Sequence, residues 1–383
     1  MKILVRVSGL LLLCVVLLLI SGCTSSQVAE SAISIVPTTV VYVLASGSAP
    51  GSLTGWATEL LVVDADQRRI ISRQQLLPWT ALGFGRDPQG RLWVGYGQQV
   101  GHVDNRVQVF SENGQLMATL PVCDDPYTGF HFAHGRAFVG CAENGFYASL
   151  AVIDLETLAV IQRLEIRTTD HFLLATMAGD EQSVVMWGGG AEHGWLKVFD
   201  VETFAERATL PTFLVDARSI LSYQGRFYVL NIRSYQFPEA GNDLLVLDTT
   251  IEPPQLITQT LPARSPLWGA IDVDQLYMYH NPSYDPFISE HRRYISRLNL
   301  TTGETQVWPL PDHWTVNSMA ALDSRLFVAG QGGLYEFDPA TGQLRQLIQL
   351  PGSRHRLMAV VNPAHTPQQV PSPLAPVSPL STE

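Results

Sequence analysis

The chain has 383 residues, of which 46% are hydrophobic and only 15% are charged. Helical surfaces usually carry more Glu and Lys, so this balance favours a β-rich protein with a core large enough for one or two domains. The 24 basic and 35 acidic side chains leave a net charge of −11, which excludes nucleic acid, a partner that demands Lys and Arg against phosphate.

The first element is a leader. Lys2 and Arg6 precede an apolar run from Leu10 to Ile20, which ends in Ile20-Ser21-Gly22-Cys23. A basic start, an apolar stretch and a small-residue site make a secretory signal. The run is shorter than the roughly 20 residues that a membrane span needs. Ser-Gly-Cys resembles the bacterial lipobox. That resemblance implies a diacylglycerol thioether on Cys23, cleavage before it and further acylation, palmitate included. Each buried methylene contributes about 0.8 kcal/mol, so several chains hold a domain on a membrane. The expectation is a signal peptide over 1–22, a lipidated tether over 23–38 and an extracytoplasmic, lipid-anchored protein. The alternative is a plain cleaved signal with a chance cysteine. Loss of Lys2 and Arg6 takes the mature charge to −13, 22 basic against 35 acidic residues.

From residue 39 the chain repeats. Val40–Leu44, Arg91–Gly95, Arg136–Gly140, Ser183–Trp187, Arg226–Leu230, Gln275–Tyr279 and Arg325–Ala329 are short apolar runs spaced 43 to 51 residues apart. Each is followed by a second run that ends near a polar turn, as in Leu60–Asp64, Ala151–Asp154, Lys197–Asp200 and Leu334–Asp338. A further strand then closes on Leu-Pro in five repeats, and another, such as Ala81–Gly85 or Val316–Ala321, precedes the next repeat. Four short strands per 40–50 residues is the signature of a β-propeller, because a four-stranded sheet has two apolar faces and buries both only between neighbours. The Asp or Asn ending the third strand is read as a turn cap, its side chain accepting from the amides that follow.

The ends set the count at seven blades. The first repeat starts at its second strand, Thr39–Leu44, with no innermost strand before it. The last repeat is followed by one extra strand, His355–Val361, which supplies the missing innermost position of blade one and removes two open edges. The propeller is placed at 39–362, and the Pro/Ser-rich 363–383 reads as a disordered tail.

The strand, Asp, Thr-Gly turn and strand pattern looks like the YVTN and PQQ-type repeats of bacterial propellers. Asn299-Leu-Thr-Thr-Gly303, with Trp308 after it, comes nearest the PQQ docking motif. Asp338-Pro-Ala-Thr-Gly342 keeps the turn without the Trp, and the other five repeats lose Thr-Gly. A quinone cofactor is therefore not implied, and no cofactor is expected. Outer-membrane assembly lipoproteins built from such repeats are similar in architecture and anchoring.

Function is placed on the loops that enter the innermost strands and those between second and third strands, which share one face of a propeller. Candidate binding residues are Trp79, Asp124, Arg218, Arg264, Trp268, Trp314, Tyr235 and Tyr284, with Arg354 and Arg356 entering the last strand. The reading is a scaffold that binds a protein or small molecule through this channel-mouth face. The alternative is a lyase or lactonase using His171 or His313 as base, oriented by Asp170 or Asp216, since histidine titrates near neutrality. No Gly-x-Ser-x-Gly, HExxH or phosphate-loop motif is present, and no Cys/His metal spacing occurs.

Of four cysteines, Cys14 leaves with the signal and Cys23 is taken by the lipid. Cys123 and Cys141 remain in an oxidising space, either as a disulfide or as two separate thiols. Strand alternation puts both on one face, and a bridge there closes a loop of about 18 residues, worth roughly 3 kcal/mol in the chain-entropy model.

Overall fold

The computed structural model describes residues 38–48, 56–97, 104–112, 114–126, 129–143, 147–166, 174–189, 194–212, 217–232, 241–284, 292–312 and 314–362. Blade 1 takes β1 (Thr38–Ser48), β2 (Trp56–Asp64) and β3 (Arg69–Gln75). Blade 2 is β4 (Ala81–Arg86), β5 (Leu92–Tyr96), β6 (Arg106–Phe110) and β7 (Leu116–Pro121). Blade 3 is β8 (Gly129–Ala133), β9 (Arg136–Glu143), β10 (Tyr147–Asp154) and β11 (Val160–Ile166). Blade 4 is β12 (Leu174–Gly179), β13 (Ser183–Gly189), β14 (Gly194–Asp200) and β15 (Glu206–Pro211). Blade 5 is β16 (Ala217–Tyr223), β17 (Arg226–Asn231), β18 (Asp243–Asp248) and β19 (Gln255–Thr260). Blade 6 is β20 (Pro266–Asp272), β21 (Gln275–His280), β22 (Tyr294–Asn299) and β23 (Thr305–Pro309). Blade 7 is β24 (Val316–Leu322), β25 (Arg325–Gly330), β26 (Gly333–Asp338) and β27 (Gln343–Gln349), and β28 (Arg354–Asn362) follows it.

These strands make seven antiparallel four-stranded sheets, and blade 1 has the order β28-β1-β2-β3. The C-terminal strand thus closes the ring, pairing Val40 with Val360 and Leu44 with Arg356. Neighbouring inner strands touch all the way round: β28 to β4, β4 to β8, β8 to β12, β12 to β16, β16 to β20, β20 to β24 and β24 to β28. The propeller is therefore a closed seven-bladed ring, and its first strand opens at Thr38, one residue before the expected Thr39.

The apolar runs are explained by the ring. Each middle strand is covered on both faces, so β5 is buried at every residue, whereas the outer strand β11 is mostly exposed. Side-chain period of two sends alternate residues into different cores. On β1, Val40, Tyr42 and Leu44 pack against blade 2, while Val41, Val43 and Ala45 pack against blade 7. Each such fully buried aliphatic contributes about 1.5–3 kcal/mol.

The Asp and Asn residues ending the third strands are turn caps. Asp64, Asp154, Asp200 and Asn299 each accept from the backbone N–H groups two and three residues on. The Thr157 amide holds the Asp154 carboxyl below its usual range, and the Thr203 amide is the main cause that lowers Asp200.

Candidate functional site at the channel mouth

Each inner strand starts at one face of the ring, where its entering segment and the loop joining second to third strands meet. Four of the seven begin with an irregularity. The pairing of β4 with β5 skips Leu82, that of β16 with β17 skips Arg218, that of β20 with β21 skips Leu267, and that of β24 with β25 skips Asn317. Each is a β-bulge at the second residue of the strand, which leaves the extra residue out of the ladder and re-aims its backbone.

Arg356, the third residue of β28, uses that freedom. Its Nε donates to the Leu82 carbonyl at 3.1 Å, and its Nη1 donates to the carbonyls of Asn317 at 3.4 Å and His355 at 3.1 Å. Two of these three acceptors are bulge residues. The guanidinium carbon also lies 5.0 Å from the ring centroid of Trp268, on blade 6. One side chain of blade 1 therefore reaches blades 2, 6 and 7 at the mouth. Arg356 keeps partial contact with solvent, but burial of its guanidinium, with Arg354 nearby, presses its pKa down to about 10.

Beside it, His355 is a clamp. Asn317 Nδ2 donates to its Nδ1 at 3.3 Å, and its Nε2 donates to the Pro351 carbonyl at 2.9 Å. Burial lowers its pKa and so favours the neutral ring. His280 repeats this at the end of β21. Its Nδ1 donates to the Arg264 carbonyl at 3.1 Å, and Ser296 Oγ donates to its Nε2 at 2.6 Å. Burial pushes the His280 pKa down to about 4. The buried ring fixes the backbone of Arg264 while the Arg264 side chain stays exposed.

The blade 6 and blade 7 segments are tied together. Tyr279 Oη and Arg293 Nη1 donate to the Trp314 carbonyl at 3.1 and 2.9 Å. The half-buried Trp314 ring meets Tyr335 edge-on at 5.0 Å. Over blade 2, Thr58 Oγ1 donates to the Trp79 carbonyl at 2.5 Å, and the Arg106 guanidinium lies 5.9 Å from the Trp79 ring. Between blades 2 and 3, Cys123 and Cys141 are joined in a disulfide with Cα atoms 6.2 Å apart, inside the range that a bridge requires. Asp124 follows, half-buried, and then the buried Asp125.

The structure thus joins Trp268 to Arg356, sets Arg218 at the equivalent bulge of blade 5, and holds Trp314 and Arg264 on tied segments. Asp124 and Trp79 sit in separate settings on blades 2 and 3. Tyr284 ends a one-turn 3₁₀ helix, Pro282–Tyr284. Cys23, Asp170, His171, Asp216, Tyr235 and His313 lie outside the described residues. The sequence reading overlooked the bulge carbonyls and the two histidine clamps. No residue type marks a bulge, since Leu82, Arg218, Leu267 and Asn317 share no chemistry, and His280 carried no signal beyond being a histidine. Among the described residues, no group of three or more His, Cys, Asp and Glu side chains is arranged to hold a metal ion.

No family model matches the chain. No curated protein matches it in sequence. Solved structures share its fold. A putative 6-phosphogluconolactonase from Bacteroides uniformis is 13% identical with a TM-score of 0.58, over 84% of this chain and 100% of that one. The hydrazine synthase of Kuenenia stuttgartiensis is 14% identical with a TM-score of 0.54, over 77% of this chain and 92% of that one. AztD from Citrobacter koseri is 12% identical with a TM-score of 0.50, over 85% of this chain and 99% of that one. At these identities the likeness is one of fold.

Proposed function

We propose that this chain is a lipid-anchored, extracytoplasmic propeller that binds a protein or small-molecule ligand over the channel mouth. The observation that carries the reading is the Arg356–Trp268 pair, with Arg356 bound to the bulge carbonyls of Leu82 and Asn317 and Trp268 beside the bulge at Leu267. Bulges recur next to functional sites because they re-aim groups without dismantling a sheet, and Trp and Arg are the side chains that dominate binding surfaces. The basic start, apolar run and Ser-Gly-Cys23 support the anchor. The Thr-Gly turns of blades 6 and 7, with Trp308 between them, support kinship with PQQ-type repeats.

The described histidines hold strands in place: His131, His134, His280 and His355 each spend a ring nitrogen on a backbone carbonyl.

Two measurements test the reading. In a bacterial host, Cys23→Ser should abolish incorporation of radiolabelled palmitate and release the protein from membranes; unchanged labelling overturns the anchor. A photo-crosslinking side chain at the exposed Arg264 should capture a ligand in cells. The same group at Val273, 72% exposed at the far end of β20, should not. Equal adducts at both positions overturn the assignment of the binding face.

A further inference from the structure

We infer that Arg356 anchors an oxyanion subsite in the channel mouth, taking a carboxylate or phosphate group of the ligand with its guanidinium seated on Trp268. This inference rests on the mouth being the binding face and names the chemistry recognised there.

A cation enclosed by protein needs compensation for the water that it loses. Arg356 receives only part of it. Its three hydrogen-bond acceptors are neutral carbonyls, those of Leu82, Asn317 and His355. No carboxylate among the described residues pairs with it, and the charge that acts on it, Arg354, has the same sign. In a protein with 35 acidic residues and a net charge of −11, an arginine held away from every described acid is a placed charge. Arginine stays protonated at neutral pH, so the mouth carries that charge throughout the physiological range.

The orientation is fixed as well. Five N–H donors leave a guanidinium in one plane. Nε and Nη1 are held by the carbonyls, and Nη2 makes no hydrogen bond to a described residue. The Trp268 ring at 5.0 Å adds a cation–π contact that steadies the fork without neutralising it. An oxyanion approaching Nη2 meets donors already aligned, which is how arginine recognises carboxylate and phosphate. A purely structural arginine would tie the same carbonyls but would not distinguish an oxyanion from chloride.

The test uses the full chain in detergent at pH 7.5. Sodium phosphate and sodium succinate are titrated separately against sodium chloride at constant ionic strength, reading tryptophan fluorescence and melting temperature. One or both oxyanions should produce a saturable change that chloride does not, phosphate or succinate identifying the preferred group. R356Q should weaken the apparent affinity about tenfold or more, the loss expected for a charge-assisted hydrogen bond. W268F should lose much of the fluorescence response and keep the thermal shift. If R356Q does not fold, R356K, which retains the charge and loses the fork, should still weaken binding several-fold. The inference is overturned if neither oxyanion acts beyond chloride, or if the folded Arg356 variant responds as the wild type does. Either of those results, with ligand capture from position 264 retained, removes the oxyanion subsite and leaves the binding face intact.

Discussion

Trp308 of blade 6 lies against Gly342 of blade 7, so close that a Cβ on Gly342 would come within 2.5 Å of Trp308 Cδ1. The Trp308 ring also meets Phe337 edge-on at 5.3 Å. The indole of one blade is therefore wedged beneath the turn that caps the next, and the glycine is what admits it.

Gly342→Ala should destabilise the propeller on two counts. The turn holds Gly342 at φ +73°, a conformation that costs an L-residue about 1–2 kcal/mol. The new methyl also meets a buried, rigid ring, and overpacking of that kind costs about 1–3 kcal/mol. Gly303 supplies the control. It occupies the equivalent Thr-Gly turn of blade 6 at φ +77°, and no described residue lies within 4 Å of its would-be Cβ. Gly303→Ala should lose only the backbone contribution. In urea denaturation the Gly342 variant should lose about twice the stability of the Gly303 variant. Equal losses would show that the Trp308 wedge is not tight.

Acid should find His280. Its folded pKa of about 4 lies below the ordinary histidine value of 6.5, because burial penalises the charged ring. The unfolded chain takes up a proton between those limits and the folded chain does not. Stability is therefore complete above about pH 6.5 and falls as pH drops toward 4, by up to about 3 kcal/mol. His280→Asn keeps a donor near the position of Nδ1 but cannot protonate. It should be less stable than the wild type at pH 7.5, and its loss between pH 6.5 and 4.5 should be shallower. Parallel stability curves for the two proteins would exclude His280 as the acid-sensitive group.

The blades were legible in the sequence because middle strands covered on both faces, such as Leu92–Tyr96 and Ser183–Gly189, are unbroken apolar runs. Closure was legible because Thr39–Leu44 lacked an inner partner and His355–Val361 lacked a blade. The mouth was legible only as a set of residue types. Arg218, Trp268, Trp314 and Arg356 stood out, but the link from Arg356 to Trp268 spans blades far apart in sequence. It depends on bulges at Leu82 and Asn317 that no residue type announces. His280 and His355 were not singled out in the sequence and serve as clamps, since burial is a property of the assembled ring and not of the neighbouring sequence.

Asp125 gives the opposite pH signature. It follows the Cys123–Cys141 bridge with φ at +52°, which Asp and Asn tolerate better than other side chains. Only 1% of its surface is exposed, and its Oδ1 has no hydrogen-bond partner among the described residues. Burial first, then the like charges of Asp124 and Asp104, push its pKa up to about 7 from 3.8. A carboxyl whose folded pKa is raised favours the fold while protonated. That contribution is complete below about pH 4 and is lost as pH rises through 7. Asp125→Asn should therefore be more stable than the wild type at pH 8.5 by about 1–3 kcal/mol. At pH 5 the advantage should have shrunk by about two-thirds, and it should vanish toward pH 4, where the carboxyl is protonated in both states. Urea midpoints of the two proteins across pH 5 to 8.5, with the disulfide kept oxidised, read the difference directly. A gap that does not widen as pH rises would mean that Asp125 ionises at no cost to the fold, and that its buried Oδ1 is compensated by a neighbour.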